Sequence, residues 1–243
     1  MTEQEWIGGD PLPTWRATLP NRPLTGLTVL VVEDSRVASE AVRLLCLRSG
    51  ARIRRADSIR TALRHLQTYR PGAVLVDMGL PDGNGADMIA TIAKAQPRVP
   101  VILGISGDPD NREAAMRAGA DGFLPKPIES LATFQQAILS VLPVEARPQG
   151  LRILPDEVIS ADPGALRDDL AHVAEVLSLA DNTAAIDYIA RFLAGVARSA
   201  HDRMLEDAAA TLARDHSEGR ALASDLARIS GLVQDRLATV RIN

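Results

Sequence analysis

Three uninterrupted apolar runs, LTVLVV, AVLV and VPVILGI, recur along the first half of this 243-residue chain. Each ends in a polar residue and is followed by a stretch of helical pattern. Strands that are apolar at every position, instead of at alternate ones, are strands covered on both faces. The pattern predicts strands near 27–33, 51–55, 73–77, 100–105 and 121–124. It predicts helices near 35–49, 58–69, 84–95, 109–118 and 128–141. Strands and helices alternating at these lengths give βαβ units, hence an α/β fold with a doubly wound, five-stranded parallel sheet. The second strand, ARIRRA, is polar enough to lie at an edge.

A parallel sheet brings the residues that follow its strands to one edge, where open α/β folds bind ligands. Here those residues are Glu33 and Asp34, then Asp77, Ser106 and Lys126. Carboxylate oxygens suit a hard cation such as Mg²⁺, which keeps several waters and often shares phosphate oxygens. Asp34 and Asp77 are candidate direct ligands, with Glu33 acting through water. A carboxylate also serves as nucleophile in some phosphoryl transfers, where the metal offsets the repulsion between two anions. Ser106 offers a hydrogen bond to a phosphoryl oxygen. Lys126, one of only two lysines in the chain, supplies a compact positive charge. Taken singly, these residues have structural readings: Asp34-Ser35 as a helix cap, Asp77 with Gly79-Leu80-Pro81 as turn chemistry, Ser106-Gly107 as a loop pair.

Composition narrows the classes. A 46% apolar content supports a core, and 3% aromatics make that core aliphatic. Net charge is −4, which argues against nucleic acid as an obligate partner. The single cysteine, Cys46, lies in the apolar run AVRLLCL and reads as a buried small hydrophobe. No run of 18 apolar residues suggests a membrane span, and the N-terminus lacks a secretory pattern, so a cytoplasmic location is expected.

The strings VLVVEDS (29–35), VLVDMGLPDGNG (74–85), Ser106-Gly107 and GADGFLPKP (119–127) are similar to the receiver domains of bacterial two-component response regulators. The intervals of 43, 29 and 20 residues from Asp34 to Asp77 to Ser106 to Lys126 suit that family. The resemblance covers residues 27–142 and implies a flavodoxin-like receiver. It makes Asp77 the phospho-acceptor and Glu33 and Asp34 the acidic pocket. Mg²⁺ would be held by Glu33, Asp34, Asp77 and the carbonyl of Gly79. Ser106 and Phe123 would be switch residues, and Lys126-Pro127 a cis peptide. It also implies a sensor histidine kinase or phosphotransfer protein as phosphodonor, a downstream protein target, and no turnover beyond the chain's own phosphorylation and dephosphorylation. A phosphatase is disfavoured, because no second carboxylate stands beside the nucleophile.

Residues 1–26 read as a tail rich in Gly and Pro, with Trp6 and Trp15 as its odd members, and 143–164 as a linker. From 165 to 243 the pattern is helical, with stripes at Leu166, Leu170, Val173 and Leu177, at Ile186, Ile189, Leu193 and Val196, and at Leu222, Leu226, Ile229 and Val233. Such stripes build an all-α bundle. No turn stands out within 184–213. Residues 180–200 resemble the central helix of histidine phosphotransfer domains, whose motif is His-x-Leu-Lys-Gly. Leu193 and Gly195 match it, but Arg191 replaces the histidine and Ala194 the lysine. The resemblance implies a bundle that binds without relaying. A dimerisation bundle is the plainer reading. His172 and His201 read as ordinary solvated residues. A divergent helix-turn-helix around Val176-Leu177, Ile189-Ala190 and Gly195-Val196 is the alternative, making the chain a DNA-binding regulator. The balance from 151 onward, 10 arginines and no lysine against 15 acidic residues, or −5, argues against it.

Overall fold

The computed structural model describes residues 22–147, 154–160, 162–179 and 183–239. Trp6 and Trp15 lie outside them. The sheet has five parallel strands, β1 (Thr28–Val32), β2 (Arg52–Ala56), β3 (Ala73–Asp77), β6 (Val101–Ser106) and β7 (Gly122–Pro125), in the order β2-β1-β3-β6-β7. This is the expected doubly wound sheet. The arginine-rich β2 takes the expected edge, and β3 and β6 are buried throughout.

Helices cover both faces. On one, α1 (Arg36–Ser49) and α5 (Leu131–Val141) enclose a core that includes Leu45, Cys46, Leu103 and Phe134. Cys46 is buried, as its apolar context implied. On the other face, α2 (Ile59–Thr68), α3 (Gly85–Lys94) and α4 (Asn111–Ala118) pack over Leu30, Val74 and Ile102. Side chains cap four of these helices: Ser35, Ser58, Asn84 and Ser130 accept from amides of α1, α2, α3 and α5.

A two-residue hairpin not expected from the sequence, β4 (Gly79–Leu80) and β5 (Gly83–Asn84), joins β3 to α3. Its turn residue Asp82 accepts from the amides of Ile59 and Arg60, satisfying first-turn donors of α2. Gly85 lets the hairpin close. A Cβ there would sit 2.0 Å from the Asp77 carbonyl oxygen and 2.8 Å from Met78 Cα, both backbone atoms that cannot swing aside.

The segments flanking the sheet domain are tied to it. Leu24 is fully buried in the α1/α5 core, and its amide donates to the Ser49 carbonyl. Within the expected linker, Val144–Ala146 forms a 3₁₀ turn. Further on, Val158 bridges Ser130 antiparallel, the amides of Leu131 and Ile159 bond across the bridge, and Ile159 enters the same core.

The remaining helices are α6 (Pro163–Leu179), α7 (Thr183–Ser199), α8 (Arg203–Ser217) and α9 (Ala223–Thr239). Each packs on two others, α6 on α7 and α9, α8 on α7 and α9, which closes a four-helix bundle. The sequence stripes supply its centre: Leu170, Val173, Ile189, Leu193, Val196, Ile229 and Val233 are buried. The turn between α7 and α8 went unrecognised in the sequence. It is made by His201 in the left-handed region (φ 54°) and by Asp202, whose side chain accepts from Leu205 N. The bundle rests on the sheet domain through contacts of α6 and α7 with α1 and of α7 with β4.

Replacing Gly85 by alanine forces the hairpin and α3 apart. The expected loss is about 2 kcal/mol of stability, in the range of overpacked cores, read as a lower urea midpoint for the sheet domain.

Candidate functional site

Parallel register sets the site. Val32 pairs with Val76, Asp77 with Ile105, and Ser106 with Pro125, so β1, β3, β6 and β7 each end within one residue of their neighbour. The ladder continues past the strands, with Met78 N donating to Ile105 O and Lys126 N to Ser106 O. Glu33, Asp34, Asp77, Ser106 and Lys126 therefore meet at one end of the sheet, as the sequence predicted. The Lys126-Pro127 peptide is cis.

Lys126 Nζ lies 2.7 Å from Glu33 Oε2 and 3.0 Å from Asp77 Oδ1, with all three side chains nearly inaccessible. Burial works to lower the Lys126 pKa, but Asp77 and Glu33 outweigh it and hold the ammonium above its usual range. Glu33 Oε1 accepts from Ser35 N. Burial pushes the Glu33 carboxyl up to about 8, against the pull of Lys126 and with the repulsion of Asp77 and Asp34. Asp34 rises to about 6, first from burial and then from Asp77. One oxygen from each of Glu33, Asp34 and Asp77 falls within 4.8 Å of the others. Three hard oxygen donors at this spacing, two of them with carboxyls raised chiefly by burial, suit a divalent cation. Gly79 lies on the rim of the same cavity.

Ser106 is buried, and its Oγ accepts from Asp108 N and Asn111 Nδ2, so the hydroxyl is held toward the start of α4. Phe123 lies half-buried against the α2–α4 face beside Gly104.

The bundle closes over this end of the sheet. Tyr188 on α7 donates to Asp34 Oδ2 at 2.9 Å. Burial and the Asp34 carboxylate push the tyrosine pKa well above its usual value. Asp169 on α6, 2% exposed, accepts from Ser35 Oγ and from the amides of Arg36 and Val37, capping α1 from another domain. Arg36 pairs with Asp168, and His201 Nε2 lies 2.9 Å from Glu129 Oε1. Between the two domains a cavity of about 210 Å³ has Asp77, Ser106 and Lys126 on one wall and Arg191, Gly195 and Arg198 on the other. Arg191 is exposed mid-helix, as expected, and its Nε donates to the Asp187 carbonyl. His172 is a surface residue stacked edge-on against Phe192 and 3.3 Å from the Tyr188 hydroxyl. Sequence reasoning singled out neither Tyr188, Asp169, Arg198 nor Asn111. Only Asn111 had a local signal, one turn after Ser106. The others matter through a docking that no local pattern encodes.

The family model for the response regulator receiver domain matches residues 29–138. The KDP operon transcriptional regulatory protein KdpE of Escherichia coli is 30% identical over 41% of this chain and 44% of its own length. The probable transcriptional regulatory protein TcrX of Mycobacterium tuberculosis is 29% identical over 55% of this chain and 58% of its own. The chain thus spans about half the length of the curated relatives it matches. Among solved structures, the chemotaxis response regulator CheY4 of Vibrio cholerae is 25% identical, covering 47% of this chain and all of that one, with a TM-score of 0.44.

Protons and a cation compete for Glu33 and Asp34, whose free carboxyls are raised to about 8 and about 6. Mg²⁺ affinity should therefore rise with pH between about 6 and 8 and level off above, with proton release on binding. Titration calorimetry in buffers of different ionisation enthalpy checks both. An affinity flat from pH 5.5 to 8.5 would mean that these carboxyls are already ionised.

Proposed function

We propose that this chain, whose residues 29–138 are a response regulator receiver domain, accepts a phosphoryl group on Asp77 and signals through phosphorylation-dependent contacts of its helical bundle. The observation that carries the reading is the convergence of Asp77 with Glu33, Asp34, Ser106 and Lys126 in one pocket at the strand ends.

The donor would be a phosphohistidine on a sensor kinase or phosphotransfer protein. Its P–N bond breaks as an O–P bond forms to an Asp77 oxygen, and the imidazole leaves as the neutral ring, protonated from solvent. Glu33, Asp34 and Asp77, with the Gly79 carbonyl, would hold a Mg²⁺ that offsets repulsion between the carboxylate and the incoming phosphoryl. Lys126, already held to Asp77, is placed to pair with a phosphoryl oxygen. The Ser106 hydroxyl would leave Asp108 and Asn111 to donate to the new dianion, and Phe123 would take up the space released. In this reading the chain's own chemistry ends with loss of the phosphoryl to water.

For the output, a closed four-helix bundle with Arg191 on α7 fits a phosphotransfer-like domain that binds and does not relay. The names of KdpE and TcrX favour a second reading, a transcriptional regulator. The acidic balance of residues 151–243 weighs against it, since phosphate contacts call for basic side chains. No helix among the described residues is long and apolar enough to cross a membrane.

Asp77→Asn should abolish labelling by a phosphorylated histidine kinase and by acetyl phosphate, whereas the parent chain carries one acid-stable, hydroxylamine-labile phosphoryl. Undiminished labelling of the variant would sink the assignment. A DNA fragment bound specifically, with affinity falling steeply with salt, would move the output to the second reading.

A further inference from the structure

The bundle wall of the cavity holds a cation whose position serves no evident purpose in the unphosphorylated chain. Arg198 points from α7 onto Gly107, the residue after the switch serine. A Cβ at Gly107 would fall 1.7 Å from Arg198 Nη1, so the guanidinium fills the volume that a side chain at 107 would take. Its side chain is 29% exposed, and its Nε donates to Glu206 Oε1 at 3.0 Å. That bond anchors one edge of the guanidinium. Among the described residues, Nη1 and Nη2 have no hydrogen-bond acceptor. Across the cavity lie Asp77, Ser106 and Lys126. Gly195, one turn back on α7, has nothing within 4 Å of where its Cβ would be, which leaves the space between open. Arg191, the other cation on this wall, is exposed, and among the described residues its hydrogen bond goes to a backbone carbonyl instead of a carboxylate.

We propose that Arg198 is the phosphoryl-binding group of the bundle: when Asp77 is phosphorylated, its free Nη1 and Nη2 donate to phosphoryl oxygens. This rests on Asp77 being the phospho-acceptor. The chemistry is that of a guanidinium fork, whose paired donors match a phosphoryl group and which stays charged at all relevant pH. The acyl phosphate carries nearly two negative charges where the Asp77 carboxylate carried one, and the single Lys126 ammonium, shared with Glu33, does not neutralise them. No other free cation of the bundle is both anchored and placed on this wall among the described residues. Phosphorylation then tightens the docking of the bundle onto the receiver half.

The test is titration of the full chain with beryllofluoride at saturating Mg²⁺, read by calorimetry. A charge-assisted hydrogen bond is worth enough to predict about tenfold weaker binding for Arg198→Ala, with Arg198→Lys between the two. Glu206→Gln removes the charge of the anchor but keeps an oxygen that accepts from Arg198 Nε, and it keeps the guanidinium, so it should bind within about twofold of the parent. Gly107→Ala displaces the guanidinium from the receiver side, so the Gly107→Ala/Arg198→Ala pair should lose no more than the larger single loss. Arg198→Ala binding as well as the parent, Glu206→Gln losing as much as Arg198→Ala, or additive losses in the pair would each overturn the proposal. A parent chain that binds beryllofluoride no better than Asp77→Asn overturns the phospho-acceptor reading and this proposal together.

Discussion

The ammonium of Lys126 is the charge on which the receiver half turns. Parallel register brings the ends of β1 and β3 together and with them Glu33, Asp34 and Asp77. Three carboxylates in so small and dry a space repel one another and lose hydration. Lys126, delivered from beyond β7, pairs with two of them within 3.0 Å. Removing one partner of such a buried set costs about 3–5 kcal/mol, because the charges left behind have no water to return to. One ammonium does not balance three carboxylates, and the residue of negative charge is what makes the pocket receptive. After burial, it is the next cause that raises Asp34; it also invites a cation, and Asp34 gives the Tyr188 hydroxyl an acceptor across the domain boundary.

The docking that follows is held by polar contacts. Asp169 receives two backbone amides and a hydroxyl at the start of α1, where the helix dipole favours an anion. Tyr188 reaches Asp34. The Arg36–Asp168 pair is more than half exposed on both sides and adds little. An interface of this character separates more easily than an apolar one. The strap at Glu157–Ile159, buried in the receiver core at Ile159, keeps the bundle near whether it is docked or not, so undocking does not become dissociation.

The sequence made the receiver half legible because its information is local. Apolar runs specify buried strands, and the residue after each run is positioned by the register alone, so Glu33, Asp77, Ser106 and Lys126 could be grouped before any coordinates. The bundle was legible as helices for the same reason, through stripes at Leu170, Ile189 and Ile229. The α7–α8 turn was missed because it has neither glycine nor proline. Its marks are a left-handed His201 and the cap Asp202, which a helical stripe obscures. Tyr188, Asp169 and Arg198 were illegible for a different reason. Each sits on a helix face that looks solvated until the other domain is set against it, and docking of one domain on another leaves no periodicity in the chain.

Under the phosphorylation of Asp77 proposed above, that docking also fixes what the phosphoryl group has to do. α7 covers the end of the sheet at which a donor imidazole must reach Asp77, so a protein donor and the bundle compete for the unphosphorylated pocket. With Arg198 binding the phosphoryl, the competition ends once transfer is complete, because the new dianion favours the bundle over the departing donor. Linkage makes the effect reciprocal: the factor by which phosphorylation strengthens docking is the factor by which docking stabilises the phosphorylated form. A bundle so coupled would act on both ends of the phosphoryl's life, hindering its arrival and then shielding it from water. Under the proposed function, the surface that a downstream partner meets would be the one set by the docked bundle, and phosphorylation of Asp77 would control how often that surface is presented.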